Sequence, residues 1–507
     1  MPDSDDGEAS PKNASNMYAI SKVGEFVDRG EDEQNSEFID AAFSLAEHIR
    51  RGELTPTEAA LLDYCVANAW AFRYAQRRVD PEAAWDFDQP EITEQVRLLR
   101  RAAYGPGFAG LSTLNKCQIL TNLGNQFDSL GRFIEARACW NAALVIDPNF
   151  WMAKANRGRA LMSYGCALYD DGHLRVFAHH AHSELRDATD LIEQHPQLGD
   201  SRLLGHFSTH ADAIARQFDL SGIAASYRPD EGDMGETADE RDYRAWCLSH
   251  TLFLNPLNDV VQAPIAAQDV LHLPSFTAAI DEPPVVVGMF NELKQAYASA
   301  RYMLWESDQS DGAHFSDRDV LLLNTLDYPA YGLATEQLKM AFRVAYSVFD
   351  KIALFLNRYL ELGMGARQVN FRAMWVEGKD KALRSRIAGS KNWPLRGLYW
   401  LSKDLFEEGA QDLLEPDARR IAELRNLIEH RFLRVVDDGF PIPDDSDAEV
   451  PSISRGDLER RTLRLFQLAR SALIYLSLAM HHEERTRKRE GLAMPMHLGT
   501  FDDEWKR

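Results

Sequence analysis

Apolar residues recur at three- and four-residue steps along most of this chain, the period of one face of an α-helix. The pattern predicts helices over FIDAAFSLAEHIRRGE from Phe38 and over TPTEAALLDYCVANAWAFRYAQRR, the second opened by Thr55-Pro56-Thr57 with Glu58 just behind. Another spans Ile92 to Ala103, and VVVGMFNELKQAYASARYMLWES from Val285 reads as one long helix. The rhythm is strictest after Thr335. There Leu338, Phe342, Ala345, Phe349, Ile352, Leu356 and Tyr359 alternate steps of four and three, a heptad-like packing seam. RGLYWLSKDLFEEG at 396–409 predicts a further helix. In the next, over 416–436, Ile421, Leu424, Ile428, Phe432 and Val435 make one apolar stripe behind Pro416, which suits a first helical turn. GDLERRTLRLFQLARSALIYLSLAMHHEERTRKR closes the series and ends in positive charge, favourable at a helix C-terminus. No stretch alternates with period two over a useful length, so the expected fold class is all-α.

Breaks in the pattern divide the chain. Residues 1–36 hold few apolar positions among Asp, Ser, Asn and Gly and are expected to be a disordered acidic tail. A helical array over 37–200, an irregular helical connector over 201–285, a helical bundle over 286–490 and a tail over 491–507 follow. The boundary signals are the acidic loop RPDEGDMGETADE at 228–240, Asn255-Pro256, and Asp281-Glu282-Pro283-Pro284. Within the array, residues 113–149 place Leu123, Gly124, Phe127, Gly131, Ala136, Trp140, Ala143 and Pro148 at a spacing that resembles the 34-residue tetratricopeptide repeat. Gly158 stands 34 residues after Gly124, in what reads as a degenerate second hairpin. One such hairpin cannot bury its own face, so neighbours must stack on it, and the stack offers a surface to a protein partner.

With 507 residues, 45% hydrophobic and 26% charged, the composition is that of an ordinary globular protein. No run of about 18 uninterrupted apolar residues suggests a membrane span. The opening MPDSDDGEAS lacks the basic start and apolar stretch of a secretory signal. A cytoplasmic location without a membrane partner is therefore expected. The five cysteines are scattered, with no C-x-x-C pair, which argues against a disulfide framework or a cysteine zinc site. His173, His179, His180 and His182, with His206 and His210, lack carboxylate or cysteine partners at a ligand spacing, so no metal and no cofactor are expected.

A net charge of −22 opposes broad, non-specific nucleic-acid binding. One region departs from it. Between Arg367 and Lys403 nine basic residues face only Glu377 and Asp380. Lys379, Lys381, Arg384, Arg386, Lys391 and Arg396 are the candidate phosphate contacts in this block, against the plainer reading of a solvated charged face.

The most informative six residues are Arg425-Asn426-Leu427-Ile428-Glu429-His430. At about 100° per residue Asn426 and His430 share a face one turn apart, away from the apolar stripe, with Arg425 to one side. The plainer reading is a surface ion pair between Arg425 and Glu429, contributing about 0.2–0.5 kcal/mol, with His430 idle. Set in a late helix after the seam containing Phe349-Asp350-Lys351-Ile352-Ala353 and a basic connector, the motif resembles that of HEPN domains (higher-eukaryote and prokaryote nucleotide-binding). LFLNPLND at 252–259 and the ARYMLWE helix extend the likeness towards a bacterial subfamily that fuses tetratricopeptide repeats to a HEPN domain.

The resemblance implies a metal-independent endoribonuclease acting as a homodimer, with the two motif helices facing across a cleft. Arg425, Asn426 and His430 would be the catalytic residues and RNA the substrate. The residue types suit the reaction. RNA carries its own nucleophile in the 2′-OH and needs proton transfer and charge compensation at phosphorus; an imidazole and a guanidinium provide these. One histidine cannot readily serve both sides of one phosphorus, whereas two chains supply two. The resemblance also suggests bacterial anti-phage defence or toxin action. Two other readings remain open at this point: a non-catalytic adaptor whose bundle only dimerises, and a domain that holds a nucleotide without cleaving it.

Overall fold

The computed structural model describes residues 11–195, 201–276, 284–309, 312–325, 328–406, 418–440, 450–487 and 499–506. Among them the chain is all-α, with only four very short strands. The N-terminal part runs through α1 (Pro11–Asp32), α2 (Ser36–Arg50), α3 (Pro56–Arg77), α4 (Pro90–Tyr104), α5 (Thr113–Ser129), α6 (Phe133–Ile146), α7 (Trp151–Ala167), α8 (Asp171–Gln194) and α9 (Ser201–Gln217). The short α10 (Leu220–Ser226) and α11 (Ala238–Ser249) follow.

The expected disordered tail is corrected by α1. Ile20, Val23 and Val27 sit on one face at helical spacing and are buried where α1 packs on α2 and α3. Polar composition concealed that face. The start of α3 is a full capping box: the Thr55 hydroxyl accepts from the Glu58 amide (3.3 Å) and the Thr55 amide donates to the Glu58 carboxylate (2.8 Å). Pro56 stands in the first turn, where no N–H is needed. Helices pack in sequential pairs, α5 on α6 and α7 on α8. Trp140, fully buried, donates from its indole to Thr121 O at 3.2 Å and so ties the two helices of the first pair.

The C-terminal part consists of α12 (Val285–Asp308), α13 (Leu333–Tyr359), a hairpin of β1 (Val376–Glu377) and β2 (Ala382–Leu383), α14 (Ser385–Ala388), α15 (Trp393–Phe406), α16 (Ala418–His430), β3 (Arg434–Val436), β4 (Ser452–Ser454) and α17 (Arg455–Thr486). The seam on α13 is buried along its length, from Leu338 to Tyr359. The last helix, α17, is the axis of this half. Between Leu465 and Met480 nearly every side chain is buried, against α12, α13 and α15. By length and composition α17 could cross a membrane, but 83% of its apolar window is buried inside the protein.

The two halves are locked by buried charge and by close backbone approach. Asp404 on α15 accepts from both terminal nitrogens of Arg100 (2.6 and 2.9 Å) and from Arg132. Glu135 of α6 accepts from the Tyr475 hydroxyl of α17 at 2.7 Å. Arg470, on the axis of α17, pairs with Asp259 at 2.7 Å and donates to Phe253 O and Asn255 O, which staples the LFLNPLND segment to the bundle. At the α5–α6 turn Gly131 has φ +84°, and a side chain there would meet Trp393 O at 2.1 Å. Gly397 answers from α15, since its own Cβ would lie 2.3 Å from Gly131 O. Glycine is required where these two backbones meet.

Candidate functional site

The start expected at Pro416 lies outside the described residues, and α16 is described from Ala418. Ile421, Leu424, Leu427 and Ile428 are buried against α13 and α15, so one face of the helix is fixed in the core. The expected length needs correction. The helix ends at His430, Phe432 is 75% exposed, and Val435 lies in β3. The reason is a competing pairing: β3 runs parallel to β4 with Val435 opposite Ile453, and Ala330 N donates to Val435 O. β-Branched residues fit that pleated, half-buried setting.

On the outward face Asn426 and His430 are exposed one turn apart. Among the described residues no side chain or backbone group hydrogen-bonds the His430 ring. Arg425 is half-buried beside them. Its guanidinium lies 5.6 Å from the centre of the Tyr346 ring and donates to Asn426 Oδ1 at 3.2 Å. The ion pair that the sequence allowed between Arg425 and Glu429 does not form. Glu429 instead lies 3.9 Å from Arg343 of α13, which also donates to Ile428 O. Among the described residues Arg425 therefore has no carboxylate partner and is held by an aromatic face, an arrangement that leaves its charge available to an anion.

Arg343 and Tyr346 escaped the sequence reading because they stand off the apolar seam of α13. Their helical spacing on one lane of that helix was visible, but its pairing with Arg425 and Glu429 was not. Burial pushes the Tyr346 hydroxyl above its ordinary range, against a smaller opposing effect of Arg425, so it stays a neutral ring.

The basic block disperses. Lys379 and Lys381 are exposed at the β1–β2 turn. Arg384 folds back on Met374 O (2.8 Å) and Glu377 (3.4 Å), and Arg386 reaches Glu483 at 3.3 Å. Lys391 pairs with Glu82 at 2.7 Å. Arg396 corrects its assignment as an RNA contact. It is only 5% exposed, donates to Ala84 O (2.8 Å) and Ser129 O, and lies 5.2 Å from the Trp85 ring. Burial pushes its guanidinium down to about 10. It is a strut between α15 and the N-terminal half, so the positive charge counted along the sequence is not one surface. Among the described residues none of these six forms a hydrogen bond or ion pair with α16.

The histidines of the repeat region show no ligand set; among the described residues no group of three His, Cys, Asp or Glu side chains could hold a metal ion. His173 instead bridges Asp170 (3.1 Å) and Asn255 (3.1 Å). His180 is mostly buried, and burial, then the neighbouring His179, Arg137 and Arg157, push it down to about 4. As pH falls, the unfolded chain takes up this proton near its ordinary value of 6.5, well before the folded chain does. Stability should therefore drop between pH 6.5 and 4. Thermal unfolding measured across that window should show a shallower drop in His180→Gln than in the wild type; equal slopes would contradict the assignment.

Residues 277–483 match the family model described as LA2681-like HEPN. This segment is a HEPN domain. It contains α12 through most of α17 and with them Arg425, Asn426 and His430. Neither the curated proteins nor the solved structures returned a match. The HEPN assignment supports a nuclease or nucleotide-related role.

Proposed function

We propose that the protein is a metal-independent endoribonuclease whose active site is completed by a second copy of the chain. The observation that carries this reading is the outward pair Asn426 and His430, the His430 ring without a hydrogen-bond partner among the described residues, beside an Arg425 held on the Tyr346 ring and bonded to Asn426. In the reaction the RNA 2′-oxygen attacks the adjacent phosphorus and the P–O5′ bond breaks. A 2′,3′-cyclic phosphate and a free 5′-hydroxyl result. One His430 accepts the proton of the 2′-OH, and its counterpart from the second chain gives a proton to the leaving 5′-oxygen. Arg425 compensates the charge that grows on the non-bridging oxygens, and Asn426 orients imidazole or phosphate. Lys379 and Lys381, exposed at the β1–β2 turn, stay as candidate phosphate contacts. Incubating RNA with the protein in EDTA, beside Arg425→Ala and His430→Ala, tests the assignment.

Apolar exposure around the motif supports dimerisation. Phe432 follows the helix directly, and Tyr331 just before α13 and Met340 in its second turn are also exposed. Phe432→Ser should shift the protein towards monomer and lower cleavage at least tenfold at low concentration, with activity partly recovered as concentration rises. Sedimentation velocity beside a concentration series checks this, and an unchanged dimer would contradict it.

We assign the N-terminal array to sensing or partner binding, and the activity to bacterial anti-phage defence or toxin action. A groove of about 990 Å³ between the start of α8 and α10, with Val176, Phe218, Ile223 and Tyr227 in its lining, suits that task. The dispersal of the basic block favours one competing reading, an adaptor whose bundle only dimerises. Under that reading His430→Ala would retain every cellular effect.

A further inference from the structure

The reading of the motif as an RNA-cleaving site leaves one cation at its edge without a task. Arg343 reaches α16 from α13, in the lane that also carries Tyr346 three residues on. The two lanes match in register: Tyr346 lies under Arg425, and Arg343 lies beside Glu429 one turn later. The motif face is thus flanked by two guanidiniums, one from each helix. Arg343 anchors one terminal nitrogen on Ile428 O, a carbonyl in the last turn of α16, where intrahelical partners run out. Its contact with Glu429 is long, at 3.9 Å, and the side chain remains 45% exposed. Its other terminal nitrogen has no recorded partner among the described residues. A guanidinium fixed at one corner and open at the other has the geometry of a phosphate fork rather than of a closed ion pair.

We propose that Arg343 is a substrate-binding residue that grips a phosphate of the RNA strand next to the scissile one. This rests on the ribonuclease reading for the identity of the strand. It adds a contact from outside the motif and predicts that binding and cleavage separate on substitution. A lysine in its place would keep the charge but lose the fork, and a glutamine could still donate to Ile428 O without the charge.

Binding of a single-stranded 2′-O-methyl RNA oligonucleotide, which lacks the nucleophile, gives a readout independent of cleavage. Fluorescence anisotropy across a salt series should show Arg343→Gln binding about tenfold more weakly at low salt, the loss of one charged hydrogen bond. The slope of log affinity against log salt should fall by about 0.7, the value for one single-strand phosphate contact. Arg343→Lys should keep most of the slope with intermediate affinity. Arg343→Gln with a lowered melting temperature and an unaltered slope would overturn the proposal and leave Arg343 a helix cap. Absence of RNA binding by the wild type would overturn it together with the ribonuclease reading. If the slope changes as expected but wild type and His430→Ala cleave RNA equally, the phosphate contact stands and the ribonuclease reading falls.

Discussion

Asp404→Ala should destabilise the protein by about 3–5 kcal/mol, the largest loss expected from any single polar substitution here. The Asp404 carboxylate is 1% exposed and is shared by Arg100 and Arg132, themselves 5% and 2% exposed. Removing it takes from two buried, neighbouring guanidiniums the carboxylate that they share. Arg132 also meets Glu135, at 3.4 Å. Because Asp404 lies on α15 and both arginines lie in the array, the loss should loosen one half from the other as well as lower stability. Urea unfolding followed by tryptophan fluorescence should show an earlier midpoint, and limited proteolysis should cut between the halves. A midpoint within about 1 kcal/mol of the wild type would mean that the pair contributes little.

His430→Ala should reduce RNA cleavage by about 10²–10⁴-fold, the range for removing a general acid–base group. Stability should stay within about 0.5 kcal/mol, since the ring is exposed and hydrogen-bonds no group among the described residues. That combination separates chemistry from folding. Asp404→Ala removes a buried anchor between the halves, whereas His430→Ala removes an exposed side chain of the motif. A His430→Ala protein that melts early would show that the ring has a structural role that the fold does not reveal.

What the sequence revealed and what it hid divide along a physical line. The α13 seam and the outward direction of Asn426 and His430 follow from helical period alone, and both are found in the fold. The end of α16 does not. Phe432 and Val435 continue the three-and-four rhythm, yet Val435 is drawn into β3 by pairing with Ile453, a contact between residues distant in sequence. Arg396 looked like one more member of a basic run because charge is legible and burial is not; its burial depends on how the array seats on α15. Arg343 meets Ile428 across 85 residues, and no local pattern signals such a contact. The first helix is a different kind of miss. Ile20, Val23 and Val27 were present at helical spacing, but the surrounding Asp, Ser and Asn outweighed three apolar positions.

The central claim is that two copies of His430 share one active site. Its most direct measurement is RNA cleavage in EDTA by wild type, by His430→Ala, and by an equal mixture of the two unfolded and refolded together to exchange partners. The account predicts cleavage to 2′,3′-cyclic phosphate ends by the wild type and almost none by the variant. The refolded mixture should retain about a quarter of the activity of the same total amount of wild type, because only dimers with both histidines work. Retention of about half would place a complete site in each chain, and cleavage by His430→Ala at the wild-type rate would contradict the account altogether.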